Sequence, residues 1–196
     1  MATDNASTVV PPMSRMQSAA VLVPIYRDAS EQVRLILVRR ADHGIHAGQI
    51  ALPGGKPEAR DNGLAATAMR EAVEETGMAR EDIHLLSTLP TIVTQTSRFR
   101  IHPFLAWITP PRRWQCDARE IAAVLDLAAA DLCAPGMQGR TDIRLPDGRV
   151  ALDRPCLALQ PVPIWGATYR ILAPLLPALS AARVRWFPPS RCPGQT

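Results

Sequence analysis

The chain has 196 residues, of which 47% are hydrophobic and 20% charged, enough for a buried core; this excludes a wholly disordered chain, a collagen and a disulfide-stapled miniprotein. Its formal charge of +4 comes with 22 basic residues, and Lys56 is the one lysine among them. Arginine binds phosphate bidentately, which suits a phosphorylated ligand, whereas the dispersed arginines lack the clustered patch that a nucleic acid needs.

Residues 1–15 are polar and proline-containing and read as a flexible N-terminal arm. Up to Met13 they carry acid and no base, which is not the pattern of a signal peptide. Residues 183–196 read as a C-terminal tail, leaving one domain over residues 16–182. Asp126, Asp131, Pro174 and Pro177 interrupt the apolar runs, so none reaches the roughly 18 residues that span a bilayer. The expectation is a cytoplasmic protein without membrane contact. Cys116, Cys133, Cys156 and Cys192 show no CxxC spacing and read as reduced thiols.

Along the domain, Ala19–Tyr26 and Val33–Arg39 are apolar and branched around a polar DASEQ linker, a hairpin pattern. A short strand is expected at Gln49–Leu52, ahead of Pro53, Gly54 and Gly55. Further strands are expected at Ile83–Leu89, Arg98–Ile108 and Ile121–Leu127, with a short helix near Ala128–Cys133. Ile143–Leu152 holds a turn signal at Pro146, Asp147 and Gly148. Pro163–Leu179 reads as a C-terminal helix whose second half Pro174 and Pro177 kink or end.

The clearest helix is expected over Gly63–Thr76, capped by Asp61 or Asn62 and stopped by Gly77 in the left-handed conformation. Helical spacing puts Ala65, Met69, Ala72 and Thr76 on one face and Glu71, Glu74 and Glu75 on the opposite one. Three carboxylates in one patch repel, and a hard divalent cation reverses that cost. A solvated acidic face is the alternative reading of the same pattern.

Gly55 to Met78 (GKPEARDNGLAATAMREAVEETGM) resembles the Nudix box, G-x5-E-x7-R-E-U-x-E-E-x-G-U, where U is bulky and aliphatic. Asp61 stands where the first glutamate belongs, the next spacer has eight residues instead of seven, and Ala72 is small for a U position. Arg40 to Gly55 (RADHGIHAGQIALPGG) resembles a motif of the coenzyme A pyrophosphatase branch, one residue shorter and with Leu52 for phenylalanine. Ile164 to Leu172 (IWGATYRIL) is similar to that branch's I-W-G-x-T-x-R-I-L helix, and Thr96–Pro103 more loosely to its S-x-F-x-V-x-P strand.

The resemblance implies an α/β fold: a Nudix-type α/β/α sandwich with a mixed β-sheet between helices. It implies metal-dependent hydrolysis of the diphosphate bond of coenzyme A or its derivatives, giving 3′,5′-ADP and 4′-phosphopantetheine or its acyl form. The alternative is another nucleoside-diphosphate-X such as ADP-ribose or a dinucleotide; a non-catalytic nucleotide-sensing module is the reading from a different class. By the same resemblance Glu71, Glu74, Glu75 and the Gly55 carbonyl hold Mg²⁺ or Mn²⁺. Glu74, Glu71 and Arg70 carry catalysis, with Arg70 pairing to a carboxylate of the box. Arg40, His46, Gly54 and Gly55 meet substrate, Arg40 at the 3′-phosphate. Asp61 supports the loop or reaches metal through water, and Glu120 is an outside candidate for the base. The expected partner is a small nucleotide, without nucleic acid, and a homodimer is an assembly the chain permits.

Overall fold

The computed structural model describes residues 16–44, 46–94, 98–145 and 148–181. The expected arm and tail, Ile45, and the Pro146 and Asp147 positions of the expected turn lie outside the described residues.

The main sheet begins with β1 (Gln17–Arg27) and β2 (Val33–Arg40), an antiparallel hairpin that pairs Ile25 with Leu35 and Arg27 with Val33. The two strands then part. The far half of β1 pairs instead with β4 (Gly54–Gly55), and the far half of β2 with β3 (Ile50–Ala51). On its other side β1 runs parallel to β7 (Phe99–Ile108), which also pairs with β5 (Ile83–Thr88) and β6 (Ile92–Thr94). β8 (Ile121–Ala128) covers β2 along its length, from Arg34 against Ala128 to Arg40 against Ile121. One parallel pairing among antiparallel ones makes this eight-stranded sheet mixed.

Alternation along the strands supplies two faces. Ala20, Leu22, Ile36, Phe104 and Ala106 pack against Ala68, Met69 and Ala72 of α1 (Leu64–Thr76). Val23, Ile25, Leu35 and Leu37 face the other way, onto α2 (Ala129–Leu132), α3 (Gly166–Leu172) and α4 (Leu176–Ser180). β1 and β2 are therefore covered on both sides, which is why they read as nearly continuous apolar runs. The result is the expected sandwich, a mixed sheet between helices. A second, antiparallel sheet joins β9 (Gln138–Arg144), β10 (Val150–Leu157) and β11 (Ile164–Trp165).

The structure keeps some sequence expectations and corrects others. Gly63, with φ 87°, occupies the N-cap of α1 without a side-chain cap. Asp61 is drawn elsewhere, accepting hydrogen bonds from Thr67 Oγ1 and the Glu58 N–H, both at 2.9 Å. Gly77 does end the helix in the left-handed region, its N–H donating to the Val73 carbonyl at 2.9 Å. The expected C-terminal helix divides into α3 and α4. Pro174 falls between them, and Pro177 sits in the first turn of α4, where its missing N–H has no helical partner to lose. Ile164 and Trp165 are extended rather than helical, because β10 pairs with them at Leu157 and Cys156. Among the described residues no helix is long and apolar enough to cross a membrane.

Candidate active site

The parting of β1 and β2 opens a gap that Gly54 and Gly55 fill. A Cβ on Gly54 would collide with the Ala20 carbonyl and with Val21; one on Gly55 would collide with the Glu71 carboxylate. Only a backbone without side chains fits between β1 and α1 here, so α1 lies directly over the two glycines.

Glu75 reaches into this contact. It is 3% exposed. Its Oε2 accepts the Gly54 N–H at 3.0 Å, and its Oε1 lies 3.4 Å from Arg40 Nη1. The expectation that all three helix glutamates lie opposite the apolar stripe is thus corrected: Glu75 adjoins Ala72 and Thr76 and is buried with them. Burial pushes its pKa up to about 7; the Gly54 N–H and Arg40 oppose the rise, and the charges of Glu71 and Glu120 add to it. Glu71 is also raised, first by burial, against the pull of Arg70.

Arg70 ties the loop to the helix. Its Nε and Nη2 meet the two oxygens of Asp61 at 2.9 and 3.1 Å, and Nη2 also donates to the Lys56 carbonyl at 3.0 Å. Its Nη1 stands 3.1 Å from Glu71 and 2.9 Å from Glu74. The guanidinium, helped by the Glu58 N–H, holds the Asp61 carboxyl well below the usual carboxylate range. Glu74 faces outward: its side chain is 47% exposed, and its oxygens are taken by Arg70 and by Arg60 at 2.9 Å.

The structure therefore brings Arg40, Gly54, Gly55, Glu71 and Glu75 together and leaves Glu74 on the outer edge of the group. Glu120 lies in the turn that leads into β8. Its carbonyl accepts the Ala41 N–H at 2.8 Å, and its charge acts on both Glu71 and Glu75. His46 sits on the exposed β2–β3 loop, 3.2 Å from Gln49 Oε1, a bond within the loop. Sequence reasoning missed the contact between Lys56 Nζ and the Phe99 ring, 5.3 Å to its centroid. The lysine stands out by its rarity and by following Gly55; nothing in the spacing points to Phe99, more than forty residues away.

Among the described residues no three His, Cys, Asp or Glu side chains converge closely enough to hold a metal ion by themselves. The donor chemistry still fits a hard cation. Two carboxylates, deprived of water and repelling each other, stand against a glycine backbone that offers carbonyl oxygen.

Comparison with known proteins identifies the family. The sequence model of the NUDIX domain matches residues 16–138. A protein of Enterobacter sp. (strain 638) named "Uncharacterized Nudix hydrolase NudL" is 34% identical over 172 residues, covering 84% of this chain and 86% of that protein. One of the same name from Salmonella paratyphi B is 34% identical over 128 residues, 65% of each chain. Among solved structures, RenU, a Nudix hydrolase from M. smegmatis, superposes with a TM-score of 0.51 at 20% identity, over 61% of this chain and 78% of that one. The last likeness concerns the fold alone.

Proposed function

This chain belongs to the NUDIX domain family, and from that premise we propose that it hydrolyses the diphosphate bond of coenzyme A or its thioesters, with a divalent cation. The observation that carries the reading is the 3.4 Å approach of Arg40 to Glu75. It sets the start of the segment Arg40 to Gly55, which resembles the coenzyme A pyrophosphatase motif, against a buried carboxylate of the box.

Water adds to one phosphorus of the diphosphate and the bridging P–O bond breaks, so coenzyme A yields 3′,5′-ADP and 4′-phosphopantetheine. Phosphoryl transfer asks the protein chiefly to position groups and offset charge. Glu71, Glu75 and the Gly55 carbonyl, with Glu74 at the rim, would hold Mg²⁺ or Mn²⁺; when bound, such a cation polarises phosphate oxygens and lowers the pKa of water. Gly54 orients Glu75 through its N–H. Arg70 sets the separation of Glu71, Glu74 and Asp61 and acts as a positioning residue. Glu120, close enough to act on Glu71 and Glu75, is the carboxylate outside the helix best placed to take a proton from water. Arg40 supplies positive charge for a phosphate group, and Gly54 and Gly55, by lacking side chains, let the α1 carboxylates reach the backbone that borders it. His46, held by Gln49 on the β2–β3 loop, is a further residue that would meet substrate.

Incubation with coenzyme A, ADP-ribose, NADH and diadenosine polyphosphates, with products resolved by mass, tests the reading. Preferred release of 3′,5′-ADP supports it, and preference for ADP-ribose or a dinucleotide overturns the substrate while keeping the chemistry.

A further inference from the structure

Lys56 directly follows Gly55, and its backbone is fixed by the Arg70 bond to its carbonyl. Around the site Arg40, Arg60 and Arg70 each meet a carboxylate. Among the described residues Lys56 meets none at ion-pair distance; its ammonium instead rests over the Phe99 ring. The Phe99 backbone is held on both sides. Thr94 Oγ1 accepts the Phe99 N–H at 3.0 Å and donates to the Phe99 carbonyl at 3.2 Å. Arg170 Nη1 of α3 donates to the Val93 carbonyl at 2.9 Å, tying β6 to the C-terminal helix. A chain of contacts thus runs from α3 through β6 to the Phe99 backbone, whose ring meets the side chain that follows Gly55.

An exposed cation over a ring gains little. A charged hydrogen bond to phosphate is stronger, and a nucleobase stacked on an aromatic ring gains about 1–3 kcal/mol. We propose that Lys56 and Phe99 form the recognition pair for a nucleoside diphosphate: the Lys56 ammonium moves to a phosphate oxygen, and the base takes the ring face it leaves. The inference rests on the diphosphate reading above and deepens it.

Calorimetric titration of the full chain with ADP and with inorganic pyrophosphate, both with Mg²⁺, tests the pair. The wild-type protein binds ADP more tightly than pyrophosphate. Phe99→Leu weakens ADP by about 5- to 100-fold, as loss of a stacked base does, and leaves pyrophosphate unchanged. Lys56→Met weakens both ligands, and Lys56→Arg restores both. Equal effects of Phe99→Leu on the two ligands, or no effect of Lys56→Met, overturn the pair. Should Phe99→Leu not fold, Phe99→Tyr keeps the preference for ADP, and a wild-type protein that binds ADP no better than pyrophosphate overturns the proposal without any variant. Turnover of coenzyme A with unaltered variant affinities overturns the pair alone; altered affinities without turnover overturn the hydrolase reading alone.

Discussion

Glu75 accepts a hydrogen bond from the Gly54 N–H at 3.0 Å while its side chain is almost wholly removed from solvent. Without a cation, the folded state favours the protonated acid, with a pKa of about 7 against an ordinary 4.5. The stabilisation that belongs to the protonated form is complete below about pH 4.5 and is lost as pH rises through about 7. Its full size is on the order of 3 kcal/mol. The melting temperature of the metal-free protein should therefore fall between pH 5 and 8, and Glu75→Gln should flatten that slope. Mg²⁺ should raise the melting temperature most at the alkaline end, where the carboxylate is ionised. Thermal melts across pH, with and without Mg²⁺, check all three.

Gly55→Ala places a methyl group in the Glu71 carboxylate. Glu71 can swing away at modest cost to the fold, so the variant should lose turnover by about tenfold or more while melting within a few degrees of the parent. Gly54→Ala meets backbone rather than a mobile side chain and should lower the melting temperature more. Paired kinetics and melts separate the two.

Arg70→Ala leaves the Asp61 carboxylate, its side chain 4% exposed, without its bidentate partner. The melting temperature should fall by about 5 °C or more, and Arg70→Lys should recover only part, because an ammonium lacks the planar fork. Asp61 has a depressed pKa when folded, so its contribution is present above the ordinary carboxylate range and fades as pH falls through the lowered value. The gap between parent and Arg70→Ala should thus narrow in strong acid, a trend that pH-dependent melts measure.

Arg40 lies at the rim of the site with a third of its side chain exposed. Arg40→Ala should raise KM for coenzyme A more than for dephospho-coenzyme A if the guanidinium meets the 3′-phosphate. Equal increases assign Arg40 to Glu75 alone. Steady-state kinetics on the two substrates decide.

Strand pattern and helix period carried most of the fold. The apolar runs of β1 and β2, the Leu64–Thr76 helix and its Gly77 stop are local signals, and the structure keeps them. What local pattern does not encode is partner choice. Ile164 and Trp165 have helix-start surroundings, and only the neighbouring Leu157 and Cys156 make them a strand. The three-residue β6 exists because β7 offers an edge to it. In the site, the box spacing brought forward Glu71, Glu74 and Glu75 together, but spacing treats them alike. The parting of β1 and β2 distinguishes them, burying Glu75 under the glycine turn and leaving Glu74 to Arg60 and Arg70.

The carboxylates beside Gly54 and Gly55 are proposed to support cleavage of the diphosphate bond of coenzyme A. Parent and Glu75→Gln should be incubated side by side with coenzyme A and Mg²⁺ or Mn²⁺, and products identified by mass. Release of 3′,5′-ADP and 4′-phosphopantetheine by the parent, reduced at least about 100-fold in a folded Glu75→Gln protein, is the expected result. Equal turnover by the two proteins, or no cleavage of coenzyme A by the parent with either cation, would contradict it.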